Sequence, residues 1–192
     1  PQWSNSTLST MSTPRYNYPA AALCGGDIYI AGGSGSGKVY LSSAAKLTLS
    51  TMKWTDIASM TTARRSTAGV CLNDNKNFLV CGGYNPSFLS SCEKLDTSTG
   101  IWSSAGNMTT PRHAHAMVLY NGVAVVLGGF SGSGSGYLNS AEQFNSVSNS
   151  FSSFPSFSSA RAEFSAAVVL NKIYIAGGYN GTDYLSSIEV YN

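Results

Sequence analysis

Charge is the scarcest commodity in this sequence. Lysine and arginine number 11 and aspartate and glutamate 9 among 192 residues, a formal net charge of +2. So small a surplus excludes the basic patch that would hold nucleic acid or an anionic membrane. So few carboxylates also leave little for general acid–base work. Histidine is rarer still, with His113 and His115 the only two. An H-x-H pair on a strand would direct both rings to one face, as a metal site needs, yet no Cys, Asp or Glu cluster accompanies it in the sequence. No metal or cofactor is expected. Long apolar runs are missing too, because Asn121 and the glycines interrupt the longest one well short of the roughly 18 residues of a membrane span. No segment carries apolar residues at helical spacing without glycine, proline or serine runs intervening. There is no G-x-S-x-G elbow, and the SGSGSG stretch at 131–136 lacks the lysine and the following helix of a phosphate loop. The expectation is a non-catalytic protein with a neutral, polar surface.

The four cysteines, Cys24, Cys71, Cys81 and Cys92, show no C-x-x-C spacing. Cys71 and Cys81, or Cys81 and Cys92, fall on strands expected to be adjacent, so a disulfide is open. The expected state is nonetheless a set of buried free thiols. The compartment stays open between cytoplasmic and extracellular, and Pro1 points to a start that has been processed or excised. The three glycosylation sequons, at Asn5, Asn107 and Asn180, are about the number chance supplies in so serine- and threonine-rich a chain and settle nothing.

What the sequence does have is repetition. IYIAGG at 28–33 returns as FLVCGG at 78–83, VVLGG at 125–129 and IYIAGG at 173–178. The first glycine of each pair is Gly32, Gly82, Gly128 and Gly177, and a period of that size marks an array of structural repeats. Each copy reads as a buried strand stopped at a crowded place where only glycine fits. Other signals recur in phase. Trp3, Trp54, Trp102 and Phe151 precede Met11, Met60, Met108 and Phe157, which stand four residues before Arg15, Arg64, Arg112 and Arg161. An apolar strand follows each arginine, and a short polar turn such as Asn121-Gly122 joins it to the diglycine strand. A third strand follows, and a further turn such as 97–100 leads to the Trp strand. Four short antiparallel strands per unit, with tight connections, suit radial repetition: an all-β β-propeller of four-stranded blades. A β-sandwich would not require Trp, Arg and the glycine pair to keep phase.

These residues resemble the kelch family. Its pattern is an apolar strand ending in Gly-Gly, an acid-ended strand, a Trp about six residues on, and Met-Pro-x-x-Arg. Here those pieces are Gly82-Gly83, Leu95-Asp96, Trp102, Met108 and Pro111-Arg112. Thr48 and Asn145 depart from the acid, Phe151 from the Trp and Phe157 from the Met. The resemblance covers essentially the whole chain, as one domain over 1–192 with repeats at 12–60, 61–108, 109–161, and 162–192 together with 1–11. The N-terminal strand around Trp3 is expected to pair with the last strand, 188–191, and so close the ring. A piece of a larger ring, or two chains joined into an eight-bladed one, remains open as an alternative to a closed four-bladed ring.

The repeated arginines, by their constancy, are expected to be scaffold, bonding backbone carbonyls or stacking on a blade Trp. The resemblance implies a different role for the loops, since kelch proteins bind partner proteins through the loops after Gly-Gly and after the Trp strand. On this chain those positions are Ser34, Tyr84, Phe130 and Tyr179, then Tyr16, Asn17, Arg65, Ser66, His113 and Glu163. The repeats disagree with one another there, as a site for one asymmetric ligand would require. The expected function is a protein-interaction scaffold that holds a partner peptide or protein, with self-association if four repeats leave the ring open. A carbohydrate-binding propeller is the alternative, since exposed Tyr and Phe beside Asn and Ser suit sugar rings. A galactose-oxidase-like enzyme fragment is a poorer fit, because such copper chemistry would need more His ligands and a paired Tyr and Cys.

Overall fold

The computed structural model describes residues 9–132 and 136–192. Its elements are fifteen strands and one 3-10 turn, Ser36–Lys38. The first blade comprises β1 (Ala20–Cys24), β2 (Asp27–Ala31), β3 (Ala44–Thr48) and β4 (Lys53–Ile57). The second holds β5 (Ala68–Cys71), β6 (Asn77–Cys81), β7 (Ser91–Asp96) and β8 (Ile101–Asn107). The third holds β9 (Ala116–Tyr120), β10 (Val123–Leu127), β11 (Ala141–Asn145) and β12 (Ser150–Phe154). Among the described residues the fourth holds β13 (Ser165–Val169), β14 (Lys172–Ala176) and β15 (Ile188–Tyr191). Every sheet runs in chain order and every pairing is antiparallel, as the short polar connections demand. The strands β1, β5, β9 and β13 lie side by side at the inner edge. This is the β-propeller architecture expected from the repeats. The pairing expected of the strand around Trp3 lies outside the described residues.

Blades pack face to face through apolar clusters at three junctions. Phe78, Val80 and Leu95 of the second blade meet Tyr29 and Ala31 of the first, and Leu79, Cys81 and Cys92 on the opposite face meet Ala124, Val126 and Phe144. Ile173 and Ile175 meet Val125 and Leu127 at the third junction. Alternation along each strand explains this: the two faces of a middle blade are both interfaces, so its central strand is apolar throughout. Trp102 lies against the first cluster and donates its indole N–H to the Ala58 carbonyl at 2.7 Å.

Turn chemistry accounts for the departures at the end of the third strand. Asp96 accepts the N–H groups of Ser98 and Thr99, which hold its carboxyl below the usual range. Asn145 accepts those of Val147 and Ser148 in the same way. At Thr48 the backbone carbonyl closes the turn, accepting the Thr51 and Met52 N–H groups, and Asp27 on the neighbouring strand takes the Leu49 N–H.

The cysteines correct the sequence reading. All four are oxidised, Cys24 to Cys71 and Cys81 to Cys92. The first bond joins the inner strands of two blades, a pairing that depends on how β1 and β5 meet and is invisible along the chain.

Candidate partner-binding face

The repeated arginines set the frame. The Arg64 Nη1 donates to the carbonyls of Gly82 and Ser91, both at 2.8 Å, as expected of a scaffold residue, and Arg112 and Arg161 repeat this in their own blades. Each also meets a carboxylate that the sequence reading did not single out. Arg64 pairs with Glu93 at 3.0 Å, Arg112 with Glu142 at 2.7 Å and Arg161 with Glu189 at 2.9 Å. The same carboxylates accept two backbone N–H groups of the incoming loop, Thr61 and Thr62 on Glu93, Thr109 and Thr110 on Glu142, Ser158 and Ser159 on Glu189. All three guanidinium-bearing residues are fully buried. Burial presses Arg112 toward its neutral form, and Glu142 offsets it. In the first blade Ala45 stands where the acid would be. There Asp56, one strand further out, binds the Ser12 hydroxyl, and Arg15 donates to the Gly32 and Ser43 carbonyls.

This frame fixes the loops after each glycine pair. The second glycine carries φ near +90°, and a Cβ on Gly83 would sit 2.6 Å from the Arg65 carbonyl. The chain can therefore turn tightly toward the next segment. Three residues then align in each blade as isolated bridges. Tyr16, Ser34 and Tyr40 form the first set, Arg65, Tyr84 and Phe88 the second. His113, Phe130 and Tyr137 form the third, Ala162, Tyr179 and Tyr184 the fourth.

The outcome is a row of rings across the blades. Tyr40 meets Tyr84 at 5.9 Å between centroids, Tyr84 meets Phe88 at 5.3 Å and Phe88 meets Phe130 at 5.7 Å. Phe130 meets Tyr137 at 4.9 Å, Tyr137 meets Tyr179 at 5.5 Å and Tyr179 meets Tyr184 at 5.0 Å. Most of these contacts are edge-to-face, the arrangement that the ring quadrupole favours. The Arg65 guanidinium lies 5.3 Å from the Tyr40 ring and 5.0 Å from that of Tyr84. His113 stacks on Phe88 at 5.2 Å. Burial first, and the Arg65 charge second, hold its imidazole below its ordinary pKa, so it is neutral near pH 7. A cleft of about 190 Å³ opens among His113, Phe130, Tyr137, Glu163 and Tyr179.

The structure thus brings Arg65, Tyr84, His113, Phe130 and Tyr179 together in one row, half-buried and reachable. Glu163 is exposed beside the cleft and Tyr16 is 46% exposed at the first-blade end. Ser34 and Ser66 are buried. Asn17 bonds the Ser34 hydroxyl, and its carbonyl accepts the Ser66 N–H. Tyr40, Phe88, Tyr137 and Tyr184 belong to the row and were not foreseen. Their signal was an aromatic-Leu-Ser/Asn-Ser run, at 40–43, 88–91, 137–140 and 184–187. Loops of differing length before each run obscured it. The H-x-H pair divides: His113 faces the row, while His115 is buried behind the glycine pairs, its Cε1 in the path of any Cβ on Gly82. Among the described residues no three His, Cys, Asp or Glu side chains converge as a metal site.

Comparison with known proteins agrees with this architecture. Over 51 residues the chain is 41% identical to the spermatocyte protein spe-26 of Caenorhabditis elegans, a stretch that is 27% of this chain and only 9% of that protein. A family model for the KLHDC2/KLHL20/DRC7 Kelch-repeats domain matches residues 1–129, and one for the Kelch motif matches 111–158 and 160–192. With diglycine strands, buried arginines and in-phase tryptophans falling where those models align, the chain belongs to the kelch-repeat family.

Proposed function

We propose that the aromatic row is the binding face of a non-catalytic interaction module, and that it holds an extended or turn-shaped peptide of a partner protein. The kelch propeller fold supports an interaction scaffold in general terms. The observation that carries the finer reading is the row itself, eight rings and one guanidinium on loops anchored by buried ion pairs. Rigid rings that lose little entropy on binding are what interface hot spots are made of, and loops on a stiff scaffold are where they gather. Arg65 offers a cation near one end and Glu163 a carboxylate near the other, so the partner is expected to present an acceptor and a donor in that order.

Peptides selected from a displayed random library on the intact chain provide the test, with a glycan array run in parallel. Phe130→Ala and Tyr179→Ala are each expected to weaken the selected peptides at least tenfold, roughly 1.4 kcal/mol, with little change in melting temperature. Unchanged affinity in both variants, or binding confined to the glycan array, would end this reading.

A further inference from the structure

The aromatic row repeats one arrangement wherever two blades meet. The last ring of one blade's bridged trio packs on the middle ring of the next, and the residue after the repeated arginine fills the space beside them. At the first junction the rings are Tyr40 and Tyr84, 5.9 Å apart at 83°, and the Arg65 guanidinium lies over both, 5.3 and 5.0 Å from their centroids. At the second they are Phe88 and Phe130, 5.7 Å apart, and His113 touches both, at 5.2 and 5.6 Å. At the third they are Tyr137 and Tyr179, 5.5 Å apart and again at 83°. The filling position there belongs to Ala162, which bridges Tyr179 as Arg65 bridges Tyr84. A methyl group cannot occupy what a guanidinium or an imidazole occupies, and the cleft of about 190 Å³ lies at this junction.

Charge sets the third junction apart as well. Two residues past the repeated arginine stand Asn17, Ser66, Ala114 and Glu163, so the single carboxylate of that series lines the cleft. The Glu163 backbone is fixed there, its N–H donating to the Ala114 carbonyl at 2.9 Å. Phe130 packs on Tyr137 at 4.9 Å and forms a further wall. Among the described residues no arginine or lysine lines the cleft, and His113 on its rim is neutral near pH 7. Burial first, then the neighbouring Tyr179 and Glu163, hold the Tyr137 phenol above its ordinary pKa, as expected where further negative charge is unwelcome.

We propose that this cleft takes a guanidinium, the side chain of an arginine in the partner peptide, seated against Tyr137 and Tyr179 as Arg65 is seated against Tyr40 and Tyr84, with Glu163 as its counter-ion. The inference rests on the reading of the row as a peptide-binding face and adds the chemistry of one of its subsites. Aromatic faces carry the negative part of the ring quadrupole and attract a cation. At the first junction the chain supplies that cation itself; at the third the same ring geometry is paired with an alanine and a carboxylate. Lysine would meet the same groups, but its compact ammonium is more strongly hydrated than the planar guanidinium and costs more to bring against a ring, so arginine is favoured.

NMR of the intact chain, titrated with the blocked tripeptides Gly-Arg-Gly, Gly-citrulline-Gly and Gly-Lys-Gly, reads the site without a known partner. The arginine peptide is expected to shift the ring signals of Tyr137 and Tyr179, and to bind about tenfold tighter than the citrulline peptide, which keeps the shape and loses the charge. The lysine peptide is expected to fall between them. Ala162→Arg supplies the guanidinium from within and should abolish the shifts. Glu163→Gln, at an exposed position, should weaken the arginine peptide several-fold and keeps the test decisive if Ala162→Arg melts early. Citrulline or lysine binding as tightly as arginine, or arginine binding unchanged in both variants, would overturn the proposal. Library-selected peptides that need Phe130 and Tyr179 but carry no arginine, and that still bind Ala162→Arg, would overturn it too while leaving the peptide-binding face intact. Ring shifts with the arginine peptide, and no selected peptide at all, would instead keep the guanidinium site and remove the extended face.

Discussion

Glu142→Ala tests whether the buried ion pairs hold the blades in register. The Glu142 carboxylate is 3% exposed and accepts the Arg112 guanidinium at 2.7 Å, the Thr109 N–H at 2.7 Å and the Thr110 N–H at 3.2 Å. Its removal strands a fully buried cation and orphans two backbone donors. Breaking one side of a buried pair costs about 3 to 5 kcal/mol, and for a chain of this size that lowers the melting temperature by roughly 10 °C. Replacing both partners is expected to be milder, because an apolar pair leaves no uncompensated charge: Arg112→Met with Glu142→Leu should recover at least about half of the loss. Glu189, whose side chain is 21% exposed, is partly screened by solvent, so Glu189→Ala should cost about 1 kcal/mol. Urea unfolding followed by tryptophan fluorescence reads all three. If Glu142→Ala costs less than Glu189→Ala, or the double variant costs more than the single, the argument from desolvation is wrong.

Two further outcomes follow from the same frame. His115 is buried behind the glycine pairs, and its pKa is pushed down from 6.5 to about 3 by burial first and by Arg112 second. The unfolded chain therefore binds the proton that the folded one refuses, so stability falls as pH drops below 6.5, by about 2 kcal/mol on reaching pH 5. The variant His115→Leu should flatten that slope in urea titrations at the two pH values, whatever its own stability; an unchanged slope would assign the loss to other groups. The Cys24–Cys71 bond spans 47 residues of sequence and ties β1 to β5. Cys24→Ser with Cys71→Ser is expected to lower unfolding stability by about 3 to 4 kcal/mol through the freedom returned to the unfolded chain. Non-reducing peptide mapping that failed to recover the Cys24–Cys71 link would refute the pairing itself.

How much of the site could be read from the residues alone depended on whether its signal was local. The arginines showed their role by returning in phase, and the carbonyls they bind lie in their own blade. Their carboxylates did not show, because Glu93, Glu142 and Glu189 stand 29, 30 and 28 residues beyond the arginines they meet, across two intervening strands. Ser34 and Ser66 looked like loop residues by position and proved buried, because the turn after the arginine folds back onto the turn after the glycines. Tyr40, Phe88, Tyr137 and Tyr184 lie six, four, seven and five residues past the positions they bridge, Ser34, Tyr84, Phe130 and Tyr179, and only the folded loops cancel that difference.

The sequence by itself determined the unit: alternation makes each strand, glycine without a Cβ ends it, and a phase kept over four copies makes the units stack. These are short-range consequences of side-chain shape and backbone freedom, and they act before any distant residue arrives. Tertiary structure alone decided which cysteines meet, where the buried charges find partners and how rings from four blades merge into one row. Each of these depends on the angle and distance between blades, a quantity set by the packing of whole sheets and written at no single position in the chain.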